Sequence, residues 1–403
     1  MSLWRLVTRS ARFYWKTGVV VAAAVAIATA AITGSLVVGA SVTGSLRDTA
    51  LARLGRVDHA LVAPRHFRAA LASALQRSCA QAGVRRVVPV LLAEGAVADA
   101  EGNSTLPRVT VIGIDRDFAA LFDGARLPVP DEEQAVVSQA LARDLGVRQG
   151  EALLLNLALA NAPRFGTLFS PRDRERTLRS TRLEVAAVLP EGGAGAFRLG
   201  ANPATPRNLF VPRAWLARAL GRPGAANALL VESTPGTNPL PALTQALRDQ
   251  ATLADRGLSL AVHPERRALT LRSEELLLSE DTVQAAREAA AAHGARASAV
   301  SIHLATTLRR PRDGARRAAY ALLAAIEAPA PFRFLAGGGE PLGRHDVWLN
   351  RWVATDLGAQ VGDPLELTTL VPSWEGAYRE ETHRFTVRGI VALEGAGADP
   401  TLV

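Results

Sequence analysis

The seven histidines (His59, His66, His263, His293, His303, His345, His383) and the single cysteine, Cys79, are the side chains best suited to metal ligation or nucleophilic attack. A zinc site draws its ligands from short, regular spacings, and these histidines show none. Cys79 is alone, which excludes an intrachain disulfide and any thiolate metal cluster. Its setting, "ALASALQRSCAQAG", repeats apolar residues at helical spacing, the pattern of a small buried residue. Asp115-Arg116-Asp117 forms a D-x-D. It follows a strand-like run and precedes "FAALF", where an aspartate serves as a helix cap. The acidic clusters "DEE" from Asp131 and "SEDT" from Ser279 read as helix N-termini favoured by the dipole. G-x-S-x-G, H-E-x-x-H and the Walker A loop do not occur, and the dipeptide Gly-Lys is absent. The sequence thus offers no catalytic, cofactor-binding or metal-binding constellation.

It offers instead residues suited to association. Ala22, Ala26, Ala30 and Gly34 recur every fourth position inside "TGVVVAAAVAIATAAITGSLVVGASVTGSL", residues 17–46, which carry no charge. Crossing the hydrocarbon layer takes ~20 apolar residues in a helix, whereas the apolar part of a signal peptide is about 7–15. Residues 17–46 therefore read as a retained transmembrane helix. Small residues at every fourth position let a neighbouring span approach closely, although an alanine-rich composition produces such a ribbon by chance as well. A packing role implies other transmembrane spans as partners.

Residues 1–16 hold Arg5, Arg9, Arg12 and Lys16 with no acid, so the N-terminus is expected in the cytoplasm and everything after Arg47 outside it. Leu3, Trp4, Val7, Ala11, Tyr14 and Trp15 fall on one helical face, and Arg5, Thr8, Arg9, Arg12 and Lys16 on the other. This is an amphipathic helix lying on the lipid bilayer. Those four charges leave +4 of the net +8 (8 − 4) for the rest of the chain, and with aromatics at 5% this is no nucleic-acid footprint.

Beyond the span, "RDTALARLG" reads as a stalk ending at Gly55. "PRHFRAALASALQRSCAQAG" follows as a helix with Pro64 in its first turn and Gly83 at its end. "VRRVVPVLLAEGAVADA" and "PRVTVIGID" read as strands joined at "EGNST". Two stretches then repeat, "LARDLGVRQGEALLL" from Leu141 and "VATDLGAQVGDPLEL" from Val353. Ser138 and Asn350 are good N-caps, and Gly146 and Gly358 are good residues for leaving a helix. A turn leads from each helix into a strand, "ALLLNLAL" or "PLELTTLV", and a loop, longer in the first copy, returns to a second, "RLEVAAVL" or "RFTVRGIV". The expected architecture is α+β: one transmembrane helix, then a mixed extracytoplasmic domain. Its two parts are residues 47–230, with the first helix–strand–strand unit at 136–190, and residues 231–403, with the second at 348–394.

The segment "GSLVVGASVTGSLRDTALARLGRVDHAL" behind a positive amphipathic helix resembles the start of FtsX-like and MacB-like ABC transporter permeases. "VTVIGIDRDFAALF", "VVSQALARDLGVRQGEALLL" with "LEVAAVL", and "RNLFVPRAWLARALG" with "NALLV" are similar, in that order, to the periplasmic core of that family. The resemblance implies a permease subunit in the cell (inner) membrane, coupled to a cytoplasmic ABC ATPase that carries out the hydrolysis. Family members return to the membrane and contribute at least four spans, whereas these residues close at "GAGADPTLV" without a second. The sequence therefore reads as a fragment of a longer permease or as one subunit among several. The alternative is a single-pass anchored scaffold or binding protein without transport activity.

Overall fold

Two helices open the chain in the computed structural model, which describes residues 3–122, 127–158, 178–200, 202, 204–264, 267–274, 278–311, 313–327, 332–372 and 378–398. Helix α1 (Leu3–Phe13) carries the amphipathic pattern, and the backbone turns at Tyr14 into α2 (Trp15–Leu54). The 40 residues of α2 make it ~60 Å long, about twice the hydrocarbon thickness. Residues 17–46 lie wholly inside it, and the stalk is its last turns. Gly55 ends it at a φ of 60°, and a Cβ there would strike the Leu121 carbonyl oxygen, so the position admits only glycine.

The described chain divides into two compact units, Met1–Gly257 and Leu258–Val403. The first continues with β1 (His59–Arg68), α3 (Ala70–Ser78), β2 (Val84–Asp99), β3 (Thr105–Ile114), α4 (Arg116–Ala119), β4 (Gln134–Ser138), α5 (Gln139–Leu145), β5 (Ala152–Ala158) and β6 (Leu178–Leu189). It closes with β7 (Asn208–Pro212), α6 (Arg213–Ala219), β8 (Ala225–Ser233) and α7 (Leu240–Gln250). Residue 230, the expected boundary between the two parts, lies within β8.

The helix expected from Pro64 is a strand over its first residues. β1 pairs antiparallel with β8 from His59↔Val231 to Val62↔Ala228, and the register shifts before it resumes at Phe67↔Ala226. Pro64 sits in the skipped stretch of an edge strand, where its missing N–H breaks no ladder bond. The helix begins only at Ala70, and a 3-10 turn carries the chain to Gly83 (φ 88°), the expected end. The "DEE" cluster is also corrected. It forms a turn in which Gln134 N donates to Asp131 O (3.0 Å), and it enters a strand rather than a helix. "SEDT" does begin a helix, with Ser279 accepting the Thr282 amide.

The β2–β3 hairpin forms as expected, and β2 is long enough to serve two sheets. Its first half pairs with β8 and its second half with β3 and β5. Pairings β2–β3, β3–β7, β7–β4, β4–β6, β6–β5 and β5–β2 then run round a closed ring. Leu91, Val111, Val137, Leu153, Leu183 and Leu209 belong to one core of this ring. Phe118, Phe197 and Phe210 pack edge-on or tilted in a second core, and Leu71, Cys79 and Leu229 belong to a third.

The second unit comprises β9 (Leu258–His263), β10 (Ala268–Ser273), α8 (Glu280–Ala292), β11 (Val300–Arg310), β12 (Asp313–Ile326), β13 (Phe334–Gly337), β14 (Asp346–Asn350), α9 (Arg351–Leu357), β15 (Pro364–Pro372) and β16 (Tyr378–Val391). β9 and β10 form a separate hairpin. The other strands run in the order β12-β11-β15-β16-β13, and β14 pairs parallel to β16. Its core holds Ala305, Leu349, Leu357, Leu365 and Val387.

Candidate functional site: the apolar helix and the duplicated unit

Ala22, Ala26, Ala30 and Gly34 lie along α2, all of them exposed. α2 buries no residue, and a Cβ built on Gly34 meets nothing within 4 Å. The helix is long and apolar enough to cross a membrane by length and composition. Its far end is tied to the first unit, where Arg53 Nη1 donates to Asn202 O (2.6 Å) and Arg56 N to Leu121 O (2.8 Å).

The repeat holds down to single hydrogen bonds. Ser138 Oγ accepts the Leu141 amide at 3.3 Å, and Asn350 Oδ1 accepts the Val353 amide at 2.8 Å, each at a helix N-cap. Gly146 (φ 75°) and Gly358 (φ 60°) leave their helices left-handed, and the residues after them, Val147 and Ala359, donate back to Ala142 O and Ala354 O. Gly150 N donates to Val185 O and Gly362 N to Val387 O, both at 2.8 Å. Glu151 Oε2 accepts the Arg148 amide (2.8 Å) and Asp363 Oδ2 the Gln360 amide (2.9 Å). The loops between the paired strands, residues 159–177 and 373–377, lie outside the described residues.

The structure extends the repeat past the expected helix–strand–strand unit in both directions. In front, β4 runs parallel to β6 with Ser138↔Leu189, and β14 parallel to β16 with Asn350↔Val391. Behind, "GAGA" forms a 3-10 turn at Gly193–Ala196 and again at Gly395–Ala398. A Cβ on Gly195 or Gly397 would press on the carbonyl oxygen of Pro190 or Ala392 respectively. The preceding hairpin is duplicated too. Val109↔Gly95↔Leu157 crosses β3, β2 and β5, and Ala321↔Ala305↔Thr369 crosses β12, β11 and β15 in the same register. The duplication of the hairpin was hidden in the sequence because its two copies share a pairing pattern and few side chains.

Ion pairs were likewise invisible in the sequence. Asp255, 8% exposed, accepts Arg68 N (2.9 Å), Arg68 Nε (3.0 Å) and Arg68 Nη2 (2.6 Å), and also the Thr252 amide and hydroxyl (2.9 Å each). Burial works to raise the Asp255 carboxyl, but the Arg68 guanidinium and the Thr252 and Arg68 amides outweigh it and hold the group well below the usual carboxylate range. Glu366 on β15 bridges Arg309 on β11 and Arg384 on β16, and these two guanidinium groups, Arg309 first, lower its carboxyl. Asp115 occupies the N-cap of α4, but its carboxylate accepts Arg213 Nε (2.6 Å) instead of a helix amide, which corrects the expected cap. These are structural pairs, each carboxylate already satisfied.

Cys79 is buried, and burial pushes its thiol up, away from the reactive thiolate. His263 Nε2 lies 3.1 Å from Thr270 Oγ1 and His303 Nε2 lies 3.0 Å from Ser301 Oγ. Among the described residues no three His, Cys, Asp or Glu side chains gather as a metal site.

A closed strand ring entered from a long apolar helix defines an α+β core. The family model of the MacB-like periplasmic core domain matches residues 19–250, more than half of the chain. The chain belongs to that family. Among solved structures, the periplasmic region of MacB from Actinobacillus actinomycetemcomitans is 11% identical with a TM-score of 0.31, over 57% of this chain and 91% of that one. The extracellular domain of the noncanonic ABC-type transporter YknZ from Gram-positive bacteria is 13% identical with a TM-score of 0.31, over 53% and 98%. No curated protein matches.

Proposed function

We propose that this chain is the anchored extracytoplasmic portion of an FtsX/MacB-like ABC permease in the cell membrane. In this reading α1 lies on the cytoplasmic face, α2 crosses, and both strand-rich units stand outside. A cytoplasmic ABC ATPase partner hydrolyses ATP, and its closure moves the packed spans and changes the shape of the outer units, for export or for mechanical signalling. The observation that carries the reading is the extent of the family match. It begins at residue 19, inside the apolar helix, and runs to residue 250, the end of α7, so span and first ring belong to one family unit. Ala22, Ala26, Ala30 and Gly34 form the face on which partner spans would pack.

The test is purification of the tagged chain from membranes of its own host in a mild detergent. An ABC ATPase is expected to co-purify, and the chain freed of it should turn over no ATP. Failure to recover any ATPase under conditions that keep the chain folded would favour the single-pass scaffold.

A further inference from the structure

One face of the second unit's sheet carries a row of charge that the first unit lacks. The registers set Arg317 opposite Arg309, Arg309 opposite Glu366, and Glu366 opposite Arg384, so the four stand side by side across β12, β11, β15 and β16. Cross-strand partners share a face with Cβ atoms about 5 Å apart, and like charges directly opposite destabilise a pair. Both oxygens of Glu366 are taken. Oε2 accepts Arg309 Nε (3.1 Å) and Nη2 (2.9 Å), and Oε1 accepts Arg384 Nε and Nη2 (3.1 Å each). Arg317 is exposed and has no hydrogen bond or ion pair among the described residues. The equivalent row of the first unit, by the registers of the repeat, is Thr105, Ala98, Leu154 and Arg182. That unit folds with one charge in the row, so the repeated architecture does not call for the other three. Position 105 also lies clear of β7, which pairs with β3 only from Thr110 onward, so this end of the sheet has an open outer edge in the first unit as well, among the described residues.

We propose that this row binds a phosphate group, held between the guanidinium groups of Arg317 and Arg309. Three arginines against one glutamate leave a surplus of two positive charges (3 − 1), which matches a dianion. A guanidinium presents five donors in a fixed fork that fits phosphate oxygens two at a time. Arg309 spends Nε and Nη2 on Glu366, which leaves Nη1 for a ligand. Glu366 is a positioning residue: it orients Arg309, and Arg384 neutralises it, so the carboxylate holds the site without repelling the anion. The next row on the same face is Ala319, Thr307, Thr368 and Thr382, which adds hydroxyls and no acid. The small side chain of Ala319 beside Arg317 leaves room for a ligand over β12. Free phosphate and a phosphate ester on a larger molecule share this chemistry.

The test measures inorganic phosphate bound to the full chain in uncharged micelles at pH 8, by equilibrium dialysis and by melting. One phosphate per chain is expected, saturable and not displaced by an equal concentration of chloride. Arg317→Gln removes no contact of the folded chain, so it should fold, and it should melt above the wild type without phosphate because two opposed charges are relieved. Its phosphate affinity should fall at least tenfold. Phosphate should raise the melting temperature of the wild type, since a ligand of the folded state stabilises it, and leave that of Arg317→Gln unchanged. Arg77→Gln, at an exposed position on α3, controls for general positive charge and should bind as the wild type does. Glycerol phosphate distinguishes the sources: binding no tighter than inorganic phosphate means a free anion, binding at least tenfold tighter means an ester on a larger molecule, and either upholds the site. No saturable binding, an equal loss in Arg77→Gln, or an Arg317→Gln chain that melts below the wild type would overturn the proposal.

Discussion

Ser138 and Asn350 stand 212 positions apart (350 − 138) and cap equivalent helices, yet Ser138 also holds a strand. Its hydroxyl accepts the Asn208 amide at 3.1 Å and donates to Pro206 O at 3.3 Å, which pins the start of β7. Asn350 has the capping bond to Val353 and lines a cavity of its own unit. Removing Ser138 strands a buried amide as well as a cap, so Ser138→Ala should cost about 2–3 kcal/mol. Asn350→Ala should cost about 1 kcal/mol. Denaturant unfolding of the full chain in micelles measures both, and equal costs would show that Ser138 only caps.

Gly146 and Gly358 both carry the strain of a left-handed backbone. A Cβ on Gly146 meets nothing within 4 Å, so Gly146→Ala carries only the left-handed penalty of about 1 kcal/mol. A Cβ on Gly358 would also meet the Arg316 guanidinium. That guanidinium is the far end of a flexible side chain and can swing aside, so Gly358→Ala should cost about the same 1 kcal/mol as Gly146→Ala, and valine more at both sites. Melting of the two variants decides it.

Asp255 sets an acid dependence for the first unit. Its carboxyl is held below the ordinary value of about 3.9. A depressed folded value means that the stabilisation is complete above the ordinary value and is lost as pH falls through the depressed one. Unfolding free energy should thus decline below about pH 4. Asp255→Asn should lower stability at pH 7 by about 2–3 kcal/mol and flatten the acid decline. Urea titrations at pH 7 and pH 3 test the sign, and an unchanged acid slope would remove Asp255 as its source.

What the sequence revealed was local. The caps at Ser138 and Asn350, the glycines at 146 and 358, the hairpin after Gly83 and the uncharged helix each follow from the chemistry of a few neighbouring residues. What it concealed was set by distant partners. Pro64 looked like a helix start because proline fits a first helical turn, and only the pairing of β1 with β8 makes it a strand bulge. Asp115 looked like a cap, and Arg213, 98 positions later, claims its carboxylate. The "DEE" cluster sits before β4, whose apolar run, Ala135 to Val137, is too short to separate strand from helix by periodicity.

The small-residue face of α2 should govern assembly in the membrane. Ala26→Leu with Gly34→Leu widens that face without touching either outer unit, since α2 buries none of its residues. Co-purification of partner spans and the ATPase should fall several-fold, while unfolding of the outer units stays unchanged. Undiminished co-purification would place the contact on another face.

The central claim is that one helix anchors both units outside the cytoplasm, and thiol labelling tests it most directly. With Cys79→Ala as background, Ser10→Cys places a probe on α1 and Glu101→Cys one on the exposed β2–β3 turn. A membrane-impermeant maleimide applied to intact spheroplasts should label Glu101→Cys at once, and Ser10→Cys only after the membrane is opened. Labelling of Ser10→Cys alone in intact spheroplasts, or release of the Glu101→Cys chain as a soluble species lacking α1 and α2, would contradict the account.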